Sequence, residues 1–141
     1  MNAIRWSVWF PLEPEYIAKA PHLPGSYKIS CGEVVKRLVG EDKDGILMVG
    51  ESEDLQRRIG QFHESISVSK AVSHSEGNTF YNLTMKEHFP ISSLRFKFAT
   101  TTTKADARSL EERELNDYEN VHLELPPLNS ARQHRRKETR K

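Results

Sequence analysis

Apolar positions along this chain switch between two periods, and the switches mark out its elements. In "AIRWSVWF" the residues Ile4, Trp6, Val8 and Phe10 alternate with their neighbours, the period-two signature of a strand. The following "EPEYIAKA" has room for one or two helical turns, and Pro21 and Pro24 bracket the approach to "SYKIS". There Tyr27 and Ile29 fall on one strand face and Ser26 and Lys28 on the other. "EVVKRLVG", a turn in "EDKDG" supplied by Asp44 and Gly45, and "ILMVGE" predict a β-hairpin. The period then lengthens. Ser52 is the expected N-cap, Glu53 and Asp54 occupy the first turn, and Leu55, Ile59, Phe62 and Ile66 form a helical stripe with Arg58 on its margin.

Residues 69–79 are polar and read as loop, and "FYNLTMKEHF" predicts a short helix ended by Pro90. "SLRFKFAT" predicts a half-buried strand with Leu94, Phe96 and Phe98 inward and Arg95 and Lys97 outward. Four threonines, 100–103, lead into a second long helix with Thr103 and Asp106 at capping-box spacing. Its inward stripe is Ala107, Leu110, Glu111, Leu115 and Tyr118, so one carboxylate is aimed at the core side. Such a group has to be paired, protonated or bound to a cation, because burying an uncompensated charge costs several kcal/mol. A salt bridge to an arginine such as Arg58 and ligation of a metal ion both satisfy it.

A length of 141 residues fits one domain with tails. The apolar runs "ILMVG" and "WSVWF" fall far short of the roughly 18 residues a spanning helix needs. No signal-peptide pattern opens the chain, so the expected setting is soluble and cytoplasmic, away from membranes. The single cysteine, Cys31, excludes an internal disulfide and a cysteine-rich zinc site, and reads as a small strand-end residue. The net charge of +1 conceals an asymmetry: "SARQHRRKETRK" carries six cations against Glu138 alone, a balance of +5, which leaves −4 for everything before it. A basic tail on a mildly acidic body suits contact with a polyanion.

Tyr27, Arg58 and Glu111 thus come from three separate elements. With their surroundings, "PGSYKIS", then "ILMVGESEDLQRRIGQF", then "ADARSLEERELNDY" and "PPLN", the chain resembles the GIY-YIG nuclease family. The similarity is greatest to the N-terminal nuclease domain of the bacterial excision-repair incision subunit, whose first motif also reads Pro-Gly-x-Tyr. On that resemblance the first-motif tyrosine falls on Tyr27, the second-motif glycine on Gly50, the arginine eight residues later on Arg58, the glutamate on Glu111 and a late asparagine on Asn129. The second-motif tyrosine is replaced by Met48, the lysine that often follows the glycine by Glu51, and Phe62 stands at the family's histidine, with His63 one place on.

The resemblance implies an α+β fold with a small three-stranded, mainly antiparallel central sheet flanked by helices. Residues 1–23 would be an N-terminal extension, 24–130 the nuclease-like domain and 131–141 a basic tail. It implies metal-assisted hydrolysis of a DNA phosphodiester, RNA being a possible substrate too. Glu111 would hold one divalent cation, Mg2+ or Mn2+, Tyr27 would position or deprotonate the attacking water, and Arg58 would clamp the phosphate. Gly50 and Asn129 would be structural or contact the backbone. If the transfer holds, Tyr27, Arg58 and Glu111 line one cleft. The remaining nucleic-acid contacts would come from Lys28, Arg57, Arg95, Lys97, Arg135 and Arg136, with no aromatic platform for bases. Two other readings stand beside this one: a GIY-YIG-fold binding module whose catalytic site has decayed, and an unrelated small α/β interaction protein.

Overall fold

A computed structural model of the chain describes residues 3–67 and 89–129. Its main sheet has four antiparallel strands in the order β1, β6, β2, β5: Phe10–Pro11 (β1), Arg95–Thr100 (β6), Gly25–Ser30 (β2) and Ile46–Ser52 (β5). A separate pair, Val35–Lys36 (β3) and Glu41–Asp42 (β4), forms a small hairpin. The helices are Pro14–Ile17 (α1), Leu55–Ser67 (α2) and Lys104–His122 (α3), with a 3-10 turn at Ile91–Ser93. The fold is α+β.

Alternation along the strands sorts the two faces of the sheet. Tyr27, Ile29, Met48 and Phe96 join the α2 stripe Leu55, Ile59, Phe62 and Ile66 in the larger core, closed at one end by Leu12, Ile17 and Ala20. On the other face Val49 and Ile46 meet Leu115 of α3, with Trp9, Tyr118 and Leu125 packed alongside. The sheet is therefore a middle layer between α2 and α3. Cys31 is buried just past the end of β2, and burial pushes its thiol pKa up.

Three expectations from the sequence are corrected here. "ILMVGE" does not pair with "EVVKRLVG": β5 pairs with β2, Tyr27 opposite Gly50, while the intervening segment folds on itself as β3 and β4. The strand expected over "AIRWSVWF" is confined to Phe10–Pro11: Phe10 pairs with Phe96, Ser7 exchanges hydrogen bonds with Phe98, and Leu12 enters the core, so the sheet has four strands rather than three. Ser52 is the last residue of β5, and α2 begins at Leu55 behind Asp54, whose Oδ1 accepts from the Arg57 amide at 3.1 Å. Ser52 instead accepts from the Asp54 amide and holds the strand-to-helix turn.

Asp42 organises the far end. Its carboxylate accepts from the amides of Asp44, Gly45 and Ile46 and from the Tyr118 hydroxyl at 2.8 Å, tying the start of β5 to α3. Burial and that hydrogen bond push the Tyr118 phenol well above its ordinary pKa, so it stays protonated and remains the donor.

The α2 cap gives a pH-dependent prediction. The Arg57 amide, with His22 beside it at 2.9 Å, holds the Asp54 carboxyl below the usual carboxylate range. A lowered pKa means that the stabilisation is complete above the unfolded-state value of about 3.9 and is lost as pH falls through the folded value. Asp54→Ala should therefore cost about 1 kcal/mol at pH 5 and less at pH 3. Urea titrations at the two pH values measure this, and an equal deficit at both would exclude the cap as its source.

Candidate functional site

The C-terminal end of β5 is where the layers on the two faces meet. In the main sheet β5 is an outer strand, so side chains from α2 on one face and α3 on the other can reach around its edge. Glu51 and Ser52 end the strand, the Asp54 cap sets the first turn of α2 with Arg57, Arg58 and Gln61, and Lys104 opens α3. With Glu53 these residues line a cleft of roughly 400 Å³. Its charges balance: Glu51, Glu53 and Asp54 against Arg57, Arg58 and Lys104. Asp54 already accepts from the Arg57 amide and meets His22, which partly engages its carboxylate.

Tyr27 approaches the same strand from the core. A Cβ on Gly50 would lie 2.4 Å from Tyr27 Cζ and 2.6 Å from its Oη, so the ring lies directly across the glycine. Only glycine leaves that space, and the phenol oxygen comes to rest over the edge strand, one residue before Glu51. Ser26 fastens the same point from the other face by donating to the Gly50 carbonyl at 2.7 Å. Met48 is fully buried in the core opposite Ile29.

Glu111 lies on the inner face of α3, as the stripe predicts, among buried Ala107, Leu110 and Leu115. It is seven residues beyond Lys104, two turns on and about 10 Å along the axis. Of the three residues, Arg58 lines this cleft, and Tyr27 and Glu111 are enclosed, each 0% exposed. The reason is the layering. Tyr27 packs in the core with the α2 stripe, and Glu111 is one of the buried residues of α3.

Asn129 closes the outer edge of β5. Its side-chain amide donates to the Val49 carbonyl at 2.8 Å and accepts from the Val49 amide at 2.9 Å, as a paired strand residue would. Leu128 adds a backbone bond to the Leu47 carbonyl.

The other cations divide into two sets. Arg57 is exposed at the cleft. Lys28 and Lys97 do not point outward into free solvent: Lys28 is bonded to Glu114 of α3 and lies over the Trp6 ring, and the Lys97 ammonium sits 4.7 Å from the Trp9 ring and 5.6 Å from Trp6. Burial, and then Lys28 beside it, lower the Lys97 pKa. Arg95 is half-buried near Gly32. Arg135, Arg136 and the loop after Ser67 with its expected helix lie outside the described residues.

Sequence reasoning missed Lys104 and both tryptophans. Lys104 was legible as the first residue of a capped helix, but nothing local told which neighbour it would face. Trp6 and Trp9 are three apart and belong to opposite faces of an ideal strand, so their shared contact with Lys97 has no signature in spacing.

No protein-family model matches the chain, and no curated protein matches it in sequence.

Proposed function

We propose that this domain is a GIY-YIG-like endonuclease that uses a divalent cation to hydrolyse DNA phosphodiesters. The observation that most supports this is the cross-strand pairing of Tyr27 with Gly50, ring on glycine, because it unites residues from two separate sequence motifs at one point beside a cleft carrying Arg57, Arg58 and Lys104. In this reading Arg58 grips the non-bridging oxygens through its planar fork, with Arg57 and Lys104 adding charge. Tyr27 holds the attacking water and, ionised to the phenolate beside the cations, takes its proton.

The donor chemistry fits a hard cation, since a carboxylate held on the inner face of a rigid helix suits magnesium or manganese. Among the described residues no three of His, Cys, Asp or Glu gather to hold an ion, so Glu111 would be the protein ligand and water and phosphate oxygens the others. Such an ion, when bound, neutralises charge developing on the leaving oxygen. Because Tyr27 and Glu111 are enclosed, hydrolysis also requires the groups covering them to move aside, while the cations of the cleft meet substrate without rearrangement.

A second reading is favoured by one feature. Met48 is sunk in the core and Tyr27 and Glu111 are enclosed, so the cleft surface carries charged side chains with Ser52 and Gln61, a layout that suits a nucleic-acid-binding module without chemistry. Supercoiled plasmid incubated with the purified chain separates the two. Nicking with Mg2+ or Mn2+ that EDTA abolishes is the expected result; salt-sensitive binding with no cleavage in either metal would leave the module.

A further inference from the structure

A second and larger cavity lies on the other side of the first turns of α3, between that helix and the N-terminal segment. It measures about 790 Å³, and its lining includes Ile4, Arg5, Thr101, Ser109, Leu110 and Arg113. Two guanidinium groups from segments far apart in sequence face one space that hydroxyls also line. The apolar part of the wall comes from Ile4 and Leu110. Among the described residues the one carboxylate there is Asp106, against two arginines. Arg113 remains largely accessible, its side chain 58% exposed and its nearest carboxylate contact, to Glu114, as long as 3.9 Å.

From this arrangement we infer that the cavity holds a flanking nucleotide of a single nucleic-acid strand, its phosphate on Arg5 and Arg113 and its base against the Ile4 and Leu110 wall. A strand offers the required combination: an anion suited to the planar arginine fork, sugar oxygens for Thr101 and Ser109, and an apolar base face. Placement agrees with this. Arg113 lies nine residues beyond Lys104 on the same helix, about 13 Å along its axis, so a strand a few nucleotides long can pass from the β5 cleft across the N-terminal end of α3 into the cavity. The run of threonines before α3, which has no part in hydrolysis, thereby acquires a role. The inference rests on the nucleic-acid reading above but not on cleavage.

The test uses the full chain in EDTA with a fluorescein-labelled, mixed-sequence 12-nucleotide single-stranded DNA, read by anisotropy across a salt series. Arg5→Glu with Arg113→Glu should weaken binding roughly tenfold and flatten the slope of log K against log salt by about 1, as loss of one to two phosphate contacts requires. In a Trp9→Phe background Trp6, adjacent to Arg5, should show saturable quenching by the oligonucleotide, lost in the charge-reversed variant. Unchanged affinity and salt slope in that variant, with binding lost in Arg57→Glu/Arg58→Glu, would overturn the inference and leave the nucleic-acid reading standing. Absence of binding by the unmodified chain would overturn both. Thymidine monophosphate separates the sources of the ligand: affinity at least tenfold below that of the oligonucleotide supports a strand, and equal affinity overturns it in favour of a free nucleotide.

Discussion

Glu111→Gln should reduce metal-dependent cleavage by about a thousandfold, equivalent to roughly 4 kcal/mol of transition-state stabilisation, while leaving DNA binding in EDTA unchanged. The amide is nearly isosteric with the carboxylate, which matters at a position with no exposure between Leu110 and Leu115, where truncation to alanine would open a cavity and confuse a catalytic loss with a folding defect. Glutamine keeps the volume and one carbonyl but loses the charge that holds a hard cation. The measurement is single-turnover nicking over a range of Mn2+ concentrations, with circular dichroism and anisotropy on the same preparation. Cleavage within threefold of the parent rate would remove Glu111 from the site and with it the proposed chemistry.

Gly50→Ala should be strongly destabilising. The new methyl would stand 2.4 Å from Tyr27 Cζ, 2.6 Å from Oη and 2.7 Å from Cε1, and the ring is enclosed on all sides, so it cannot swing away. Overpacking of this kind costs about 3 kcal/mol, which for a chain of this length lowers the melting temperature by about 10 °C. The contact is with the far end of the ring, which leucine lacks. In a Tyr27→Leu background the same substitution should therefore cost much less, with a coupling of about 1–2 kcal/mol between the two sites in a double-mutant cycle. Equal costs in the two backgrounds would show that something other than the tyrosine resists the methyl group.

What could be read from the chain in advance depended on whether the relevant physics was local. The faces of β2 and β6 follow directly from alternation: Tyr27 and Ile29, Leu94 and Phe96 are buried as expected. Helical stripes did nearly as well: Leu55, Ile59, Phe62 and Ile66 of α2 and Ala107, Leu110, Glu111 and Leu115 of α3 are buried, but Tyr118 is only half-buried, and Ser65 and His122 are buried outside the expected stripes. Partner choice was not legible. Alternation says which face a residue occupies but not which strand lies beside it, so β5 was assigned to its neighbour in sequence rather than to β2, from which the small β3–β4 hairpin separates it. Two acceptors two residues apart, Ser52 and Asp54, left the start of α2 ambiguous by two residues, which only the strand length resolves.

The candidate site shows the same division. The spacing that singled out Glu111 and Arg58 correctly put one on an inner face and the other on a rim. It could not say how fully Tyr27 and Glu111 would be enclosed, because that depends on which layer each helix joins. Nor could charge counting anticipate that Lys28 and Lys97 would be engaged by Glu114, Trp6 and Trp9, whereas Lys104 would be open.

The Asn129 amide has a bearing on the fate of the molecule in a crowded solution. A seven-residue strand at the margin of a sheet is a template on which another chain can add itself, and β5 is apolar enough over Ile46–Val49 to make such growth self-sustaining. Asn129 and Leu128 occupy the Val49 and Leu47 positions of that template, and the opposite margin offers only two residues, one of them Pro11. The asparagine thus serves as a guard against polymerisation, and a chain cut just before it would trade a folding problem for an amyloid one.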